Sequence, residues 1–167
     1  MEDNFKFDFK YSEYKEETFQ LDLNEFLTPH FTVREMLHSA TCDRIGMINR
    51  LDEPELIVGR LRTLCEKVLE PLRQQFGPIT IISGYRSDCL NYVVGGVPNS
   101  QHCEGEAADI MTKTEKTARQ YFNWIRDNLE FDQLIIERSK KTGNFWLHVS
   151  YTNRRANRQS HFFQEAK

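Results

Sequence analysis

The chain has 167 residues, 39% of them hydrophobic and 28% charged, with a formal net charge of −3. That is the length of one ordinary domain with enough apolar mass for a core, which excludes wholesale disorder and leaves little room for a second domain. No run approaches the roughly 18 apolar residues of a membrane span, and the mild acidity gives no electrostatic reason to expect a nucleic-acid partner.

Residues 1–26 form an acidic, aromatic arm in which eight acidic residues stand against three lysines. Phe5, Phe7, Phe9 and Tyr11 alternate with polar residues. This strand-like period predicts an arm that packs on the core or adds a strand, with a partner-binding surface as the alternative. The opening MEDNFKFDFK has no basic stretch followed by an apolar run. No secretion signal is read there, and synthesis in the cytoplasm is expected. Cys42, Cys65, Cys89 and Cys103 form no Cys-x-x-Cys pair, and reduced thiols are expected.

Thr32-Val-Arg-Glu35 has the Thr-x-x-Glu pattern of a helix start, predicting a short helix to about Ser39. Pro54 suits a first helical position. Leu56, Ile57, Leu61, Leu64, Val68, Leu69 and Leu72 follow at helical spacing to about Phe76. Pro71 is predicted to kink or break that helix. Ile79–Ser83 reads as a buried strand, residues 84–104 as a long functional loop, and Glu106–Ile110 as a short strand. Thr114–Leu129 predicts an amphipathic helix with Ala118, Tyr121, Phe122, Ile125 and Leu129 on one face. Phe131–Glu137 and Phe145–Tyr151 read as strands joined by a turn. Residues 152–167, with Arg154, Arg155, Arg158 and Lys167, form a basic tail expected to fray or to touch the acidic arm. Together these elements predict an α+β domain, a small antiparallel sheet with flanking helices.

His102 at the end of the long loop and Asp109 on the following strand converge if the chain turns at Gly105. His148 lies on a later strand, with Trp146 two residues earlier on the same face. Two imidazoles and a carboxylate suit Zn²⁺ and leave a fourth position for water. Glu137 ends the strand expected to pair with that of His148, which makes it the candidate general base. Cys103 is a possible soft ligand. It is set aside because adjacent residues on an extended chain point opposite ways. Ser83 and Ser87 lack partners for a serine mechanism. Ser100 and Gln101 are expected to shape the loop, with Ser100 also a candidate for contact near the ligands.

The strings Ser83-Gly-Tyr-Arg-Ser87, Asn91, Val94-Gly-Gly96, Ser100-Gln-His102, Gly105-x-Ala-x-Asp109 and Trp146-x-His148-Val-Ser150 occur in that order. They resemble the M15 family of zinc peptidases, in its D-Ala-D-Ala carboxypeptidase-like branch of bacterial and phage murein hydrolases. The resemblance spans residues 27–151, with a 1–26 arm before it and a 152–167 tail after it. It implies a hedgehog/DD-peptidase-like fold, with His102, Asp109 and His148 as the zinc ligands and Arg86 facing the substrate. There the guanidinium would clamp a carboxylate or the oxyanion. Two departures stand out. Where many members have Glu-x-x-His, the Glu position here is Phe145; where others have His-x-His, the first His is Trp146. Phe131-Asp-Gln-Leu-Ile-Ile-Glu137 is similar to a string of the related hedgehog signalling domain, which supports Glu137 as the base. Trp146 would wall the pocket and orient His148.

The implied activity is zinc-dependent hydrolysis of peptidoglycan stem or cross-link peptides, as a D-Ala-D-Ala carboxypeptidase or an endopeptidase. Arg86, Ser100 and Trp146 would bind substrate, and a monomer is expected. The alternatives are a catalytically weak, zinc-stabilised binding module and a phage tail or wall-docking component. Without a secretion signal, action at the cell wall implies release, as for a phage lysin or a virion-associated enzyme.

Overall fold

A computed structural model describes residues 21–166. The alternation over Phe5–Tyr11 lies outside the described residues. Strands β1 (Phe26–Thr28) and β2 (Phe31–Thr32) form a small antiparallel pair. The Thr32 hydroxyl accepts the Glu35 amide and opens helix α1 (Val33–Leu37), as its sequence pattern predicts. Ser39 caps a further short helix, α2 (Ala40–Ile45).

Helix α3 (Pro54–Leu64) has proline in its first turn. It continues through a π-helical turn, Cys65–Leu69, into α4 (Glu70–Phe76). Pro71 therefore does not break the helix. It lacks the amide that would bond one turn back, and its ring crowds that turn. The wider turn just before it, in which the Glu70 amide reaches the Cys65 carbonyl, accommodates the conflict.

The second sheet has five strands in the order β3 (Ile81–Ser83), β4 (Ala107–Met111), β6 (Phe145–Ser150), β5 (Gln133–Ser139) and β7 (Ser160–Ala166). All its neighbours are antiparallel except β5 and β7, which are parallel. The domain is α+β as expected, and its larger sheet is mixed. Helix α5 (Asp88–Val93), capped by the Ser87 hydroxyl, occupies part of the stretch expected to be a loop. Helix α6 (Glu115–Asn128) is capped by Thr114.

Side chains alternate across a strand, and this sheet uses its two faces differently. Ala108, Ile110, Leu134, Ile136, Leu147 and Val149 are buried in the core with Ala118 and Ile125 of α6. The opposite face carries two cross-strand rows. Ser83, Asp109, His148, Ile135 and Phe162 make one; Met111, Trp146, Glu137 and Gln164 make the other.

The C-terminal segment does not end as a frayed tail, because residues 160–166 form β7. Its arginines are also engaged. Arg154 binds Glu106 through Nε at 2.7 Å and Nη2 at 2.9 Å. Arg155 and Arg158 both donate to Asp132, whose side chain is fully buried. The basic composition suggested a tail that frays or touches the acidic arm, but two buried carboxylates, Glu106 and Asp132, need cations, and this segment supplies them.

Burial would push the Asp132 carboxyl up, but hydrogen bonds from Arg155 and Arg158 hold it well below the usual carboxylate range. Asp132→Asn is expected to cost about 1.5–3 kcal/mol at pH 7, because the charge-assisted hydrogen bonds to two arginines are lost and a buried amide faces their donors. The carboxyl ionises more readily folded than unfolded, so its stabilisation is full above about pH 5 and is lost as pH falls through the unfolded value toward the folded one. Denaturant melts of both proteins should show the difference shrinking between pH 5 and about pH 2.5. A constant difference would contradict this assignment.

Candidate metal centre

The β4–β6 ladder sets Asp109 directly opposite His148, so their side chains leave the same face as neighbours. His102 comes from a turn closed by the Cys103 amide on the Ser100 carbonyl and the Gly105 amide on the His102 carbonyl. Gly105 has a φ of +69°, and an added Cβ would lie 3.0 Å from the Ile57 carbonyl. Glycine is therefore needed for the chain to reverse there.

Three donor atoms meet. His102 Nε2 lies 3.2 Å from His148 Nδ1 and 3.2 Å from Asp109 Oδ1, and His148 Nδ1 lies 3.0 Å from the same oxygen. All three residues are buried. A tetrahedral ion with bonds of about 2.0–2.1 Å keeps its donors about 3.3 Å apart. The triangle thus has the size of one face of such a tetrahedron, and its donor set fits a divalent metal. The residues expected to be ligands are brought together.

The surrounding bonds aim these donors. His102 Nδ1–H donates to the Gly84 carbonyl at 2.6 Å, which leaves Nε2 with its lone pair toward the centre. Gly84 is packed so closely that a Cβ would lie 2.3 Å from the Met36 carbonyl oxygen. Arg86 donates through Nε to Ser83 Oγ at 2.8 Å and through Nη2 to Asp109 Oδ2. Asp109 therefore offers Oδ1 to the centre while its other oxygen is held. Ser83 anchors the arginine. Sequence reasoning missed both the Gly84 carbonyl and the Ser83–Arg86–Asp109 chain, since neither bond has a local pattern.

Burial lowers the His102 imidazole, and although Asp109 pulls the other way the ring stays below its ordinary value. Burial would raise Asp109, but the charge and hydrogen bonds of His102 and His148 prevail and hold it well below the carboxylate range. A neutral imidazole and an ionised carboxylate are the forms that bind metal.

Glu137 lies opposite Trp146. It is diagonal to His148 on the same face, where such neighbours are about 7–8 Å apart. Burial and the Asp109 charge raise its carboxyl, against His148, Gln164 and Arg86, which lower it. Trp146 stands half-buried in the row of Glu137. Ser100 is buried, and its Oγ accepts the His102 amide at 3.3 Å; it holds the ligand's turn. Cys103 lies in that turn rather than on extended chain. Burial and nearby Asp88 push its thiol up to about 11, so it stays protonated. His30 and His38 pair with Glu70 and Asp43, away from the centre.

A profile of the peptidase M15 family matches residues 29–150. The chain belongs to the peptidase M15 family. No curated protein sequence matches it. Family membership and the His-Asp-His group together support a metallopeptidase acting on peptidoglycan-like substrates.

Two substitutions test how this M15 centre is held. Arg86→Met frees Asp109 Oδ2 and is expected to weaken zinc binding by about 10–100-fold. Gly84→Ala forces the Gly84 carbonyl away from His102 and is expected to lower both thermal stability and zinc affinity. Competition titration against a chromogenic chelator reads the affinity. Wild-type affinity in Arg86→Met would contradict the bracing role.

Proposed function

We propose that this M15 protein is a zinc-dependent peptidase that hydrolyses peptidoglycan stem or cross-link peptides, of carboxypeptidase or endopeptidase type. The observation that carries the reading is the buried donor triangle of His102, Asp109 and His148 with a carboxylate of raised pKa, Glu137, on the same sheet face. Bound zinc supplies a Lewis acid that polarises the scissile carbonyl and acidifies water.

The chain's own residues do the rest. Glu137 accepts the proton of the attacking water and passes it to the departing amine. A carboxyl raised by burial is a stronger base than an exposed one and a ready donor afterwards. Arg86 spends Nε and Nη2 on Ser83 and Asp109. Its Nη1 makes no hydrogen bond among the described residues, and it is the atom we assign to a substrate carboxylate or to the oxyanion. Trp146 walls the site beside Glu137, and Ser100 acts through the turn of His102.

Glu137→Gln is expected to retain zinc and lower turnover of muropeptides by about 10²–10⁴-fold. Chromatography of digested sacculi, with zinc content measured on the same samples, reads both. Full activity in Glu137→Gln would remove the base assignment. Zinc-loaded wild type that releases no peptide from any sacculus would remove the peptidase reading and leave a zinc-stabilised binding module.

A further inference from the structure

A depression of about 470 Å³ opens beside Trp146, bordered by Ile82, Met111, Lys113, Thr142 and Asn144 among others. This is within the size range of small-ligand sites. Lys113 is the one charged side chain in its lining, which includes no carboxylate. The rest of the lining is four apolar side chains, two hydroxyls and one amide, a composition in which a few polar contacts can orient a ligand.

Its place relative to the metal centre follows from the strands. Met111 is two residues beyond Asp109, and Trp146 two residues before His148. Two residues along a strand span about 6.6–6.8 Å. The depression is therefore displaced from the donor triangle by about two residues of extended peptide. A chain lying along the sheet with its scissile carbonyl at the triangle brings the residue two positions away over Trp146 and Lys113.

The backbone at Lys113 strengthens the case. Its φ is +58°, in the left-handed region where a side chain with a Cβ is disfavoured. Glycine would relieve that cost. A residue that keeps an unfavourable conformation in order to present an ammonium group is a candidate for function.

We propose that Lys113, with Trp146 as the adjoining wall, forms a subsite that binds a carboxylate carried by the substrate residue two positions from the scissile bond. Lys113 is a specificity-determining residue, and the ligand class is an anionic peptide. This rests on the peptidase reading and adds a charge preference to it. The ammonium attracts the carboxylate as a point charge, and Ile82, Met111 and Trp146 offer apolar surface beside it.

The test uses paired synthetic wall peptides that differ only in carrying a carboxylate or a carboxamide at that residue. The wild type is expected to cleave the carboxylate form with a kcat/KM about tenfold higher, mostly through KM, which corresponds to one charge-assisted contact. Lys113→Met and Lys113→Gly should remove this preference by slowing the carboxylate form, with the carboxamide form unchanged. Lys113→Gly should also melt at a higher temperature, which a purely structural lysine would not combine with lost preference. Lys113→Arg should keep most of the preference. No preference in the wild type, or an undiminished one in Lys113→Met, overturns the proposal.

Binding separates this result from failure of the peptidase reading. In zinc-loaded Glu137→Gln carrying Trp124→Phe, Trp146 fluorescence reports the uncleaved peptides. Tighter binding of the carboxylate form that disappears with Lys113→Met supports the subsite even if no cleavage is found. Equal binding of both forms overturns it.

Discussion

Asp109 carries a carboxylate almost entirely out of water, and its surroundings are arranged around that charge. A buried charge without partners is costly. Here one oxygen faces two imidazole nitrogens and the other accepts the Arg86 guanidinium. The three cationic or polar neighbours come from three different parts of the chain. Arg86 follows β3, His102 sits in the turn before β4, and His148 lies within β6. The carboxylate thus ties together the strand edge, the turn and the centre of the sheet, and a bound cation would complete the same charge balance.

The sheet makes this possible by dividing its labour between faces. The core face is a continuous apolar layer against α6. The other face is free to hold polar groups whose spacing is set by strand geometry. Asp109 and His148 are adjacent because their strands are in register. Glu137 and Trp146 follow one row on for the same reason. The C-terminal segment supports the frame. Arg154 clamps Glu106 at the entry to β4, and Arg155 and Arg158 clamp Asp132 at the entry to β5. Both strands carry residues of the candidate site, so these clamps bear on the site without touching it.

The meeting of His102, Asp109 and His148 was anticipated from the ordered strings that resemble the M15 family, with a glycine turn and period-two alternation making their convergence physically reasonable. The place of Glu137 beside the strand of His148 was anticipated from the expected strand pairing and from the hedgehog-like string. Other features depend on contacts between distant residues. The parallel addition of β7 to β5 leaves only a short, polar stretch around Phe162 and Phe163 in the sequence. The partners of Asp132 lie more than twenty residues away, so no local pattern links them. Helix α5 was hidden by the glycines that follow it, although Ser87 is a recognisable cap. The π-helical turn before Pro71 shows a helix adapting to a proline where a break was expected. The bonds that aim the ligands, from His102 to the Gly84 carbonyl and from Arg86 to Asp109, are tertiary and have no signature in sequence.

The central claim is that two imidazoles and one carboxylate, with no thiolate, hold a single zinc ion. X-ray absorption spectroscopy of the protein loaded with one equivalent of zinc tests this most directly. The account predicts a first coordination shell of nitrogen and oxygen at about 2.0–2.1 Å with the outer-shell scattering of two imidazoles. A zinc–sulfur distance of about 2.3 Å, or a spectrum lacking imidazole scattering, would contradict it.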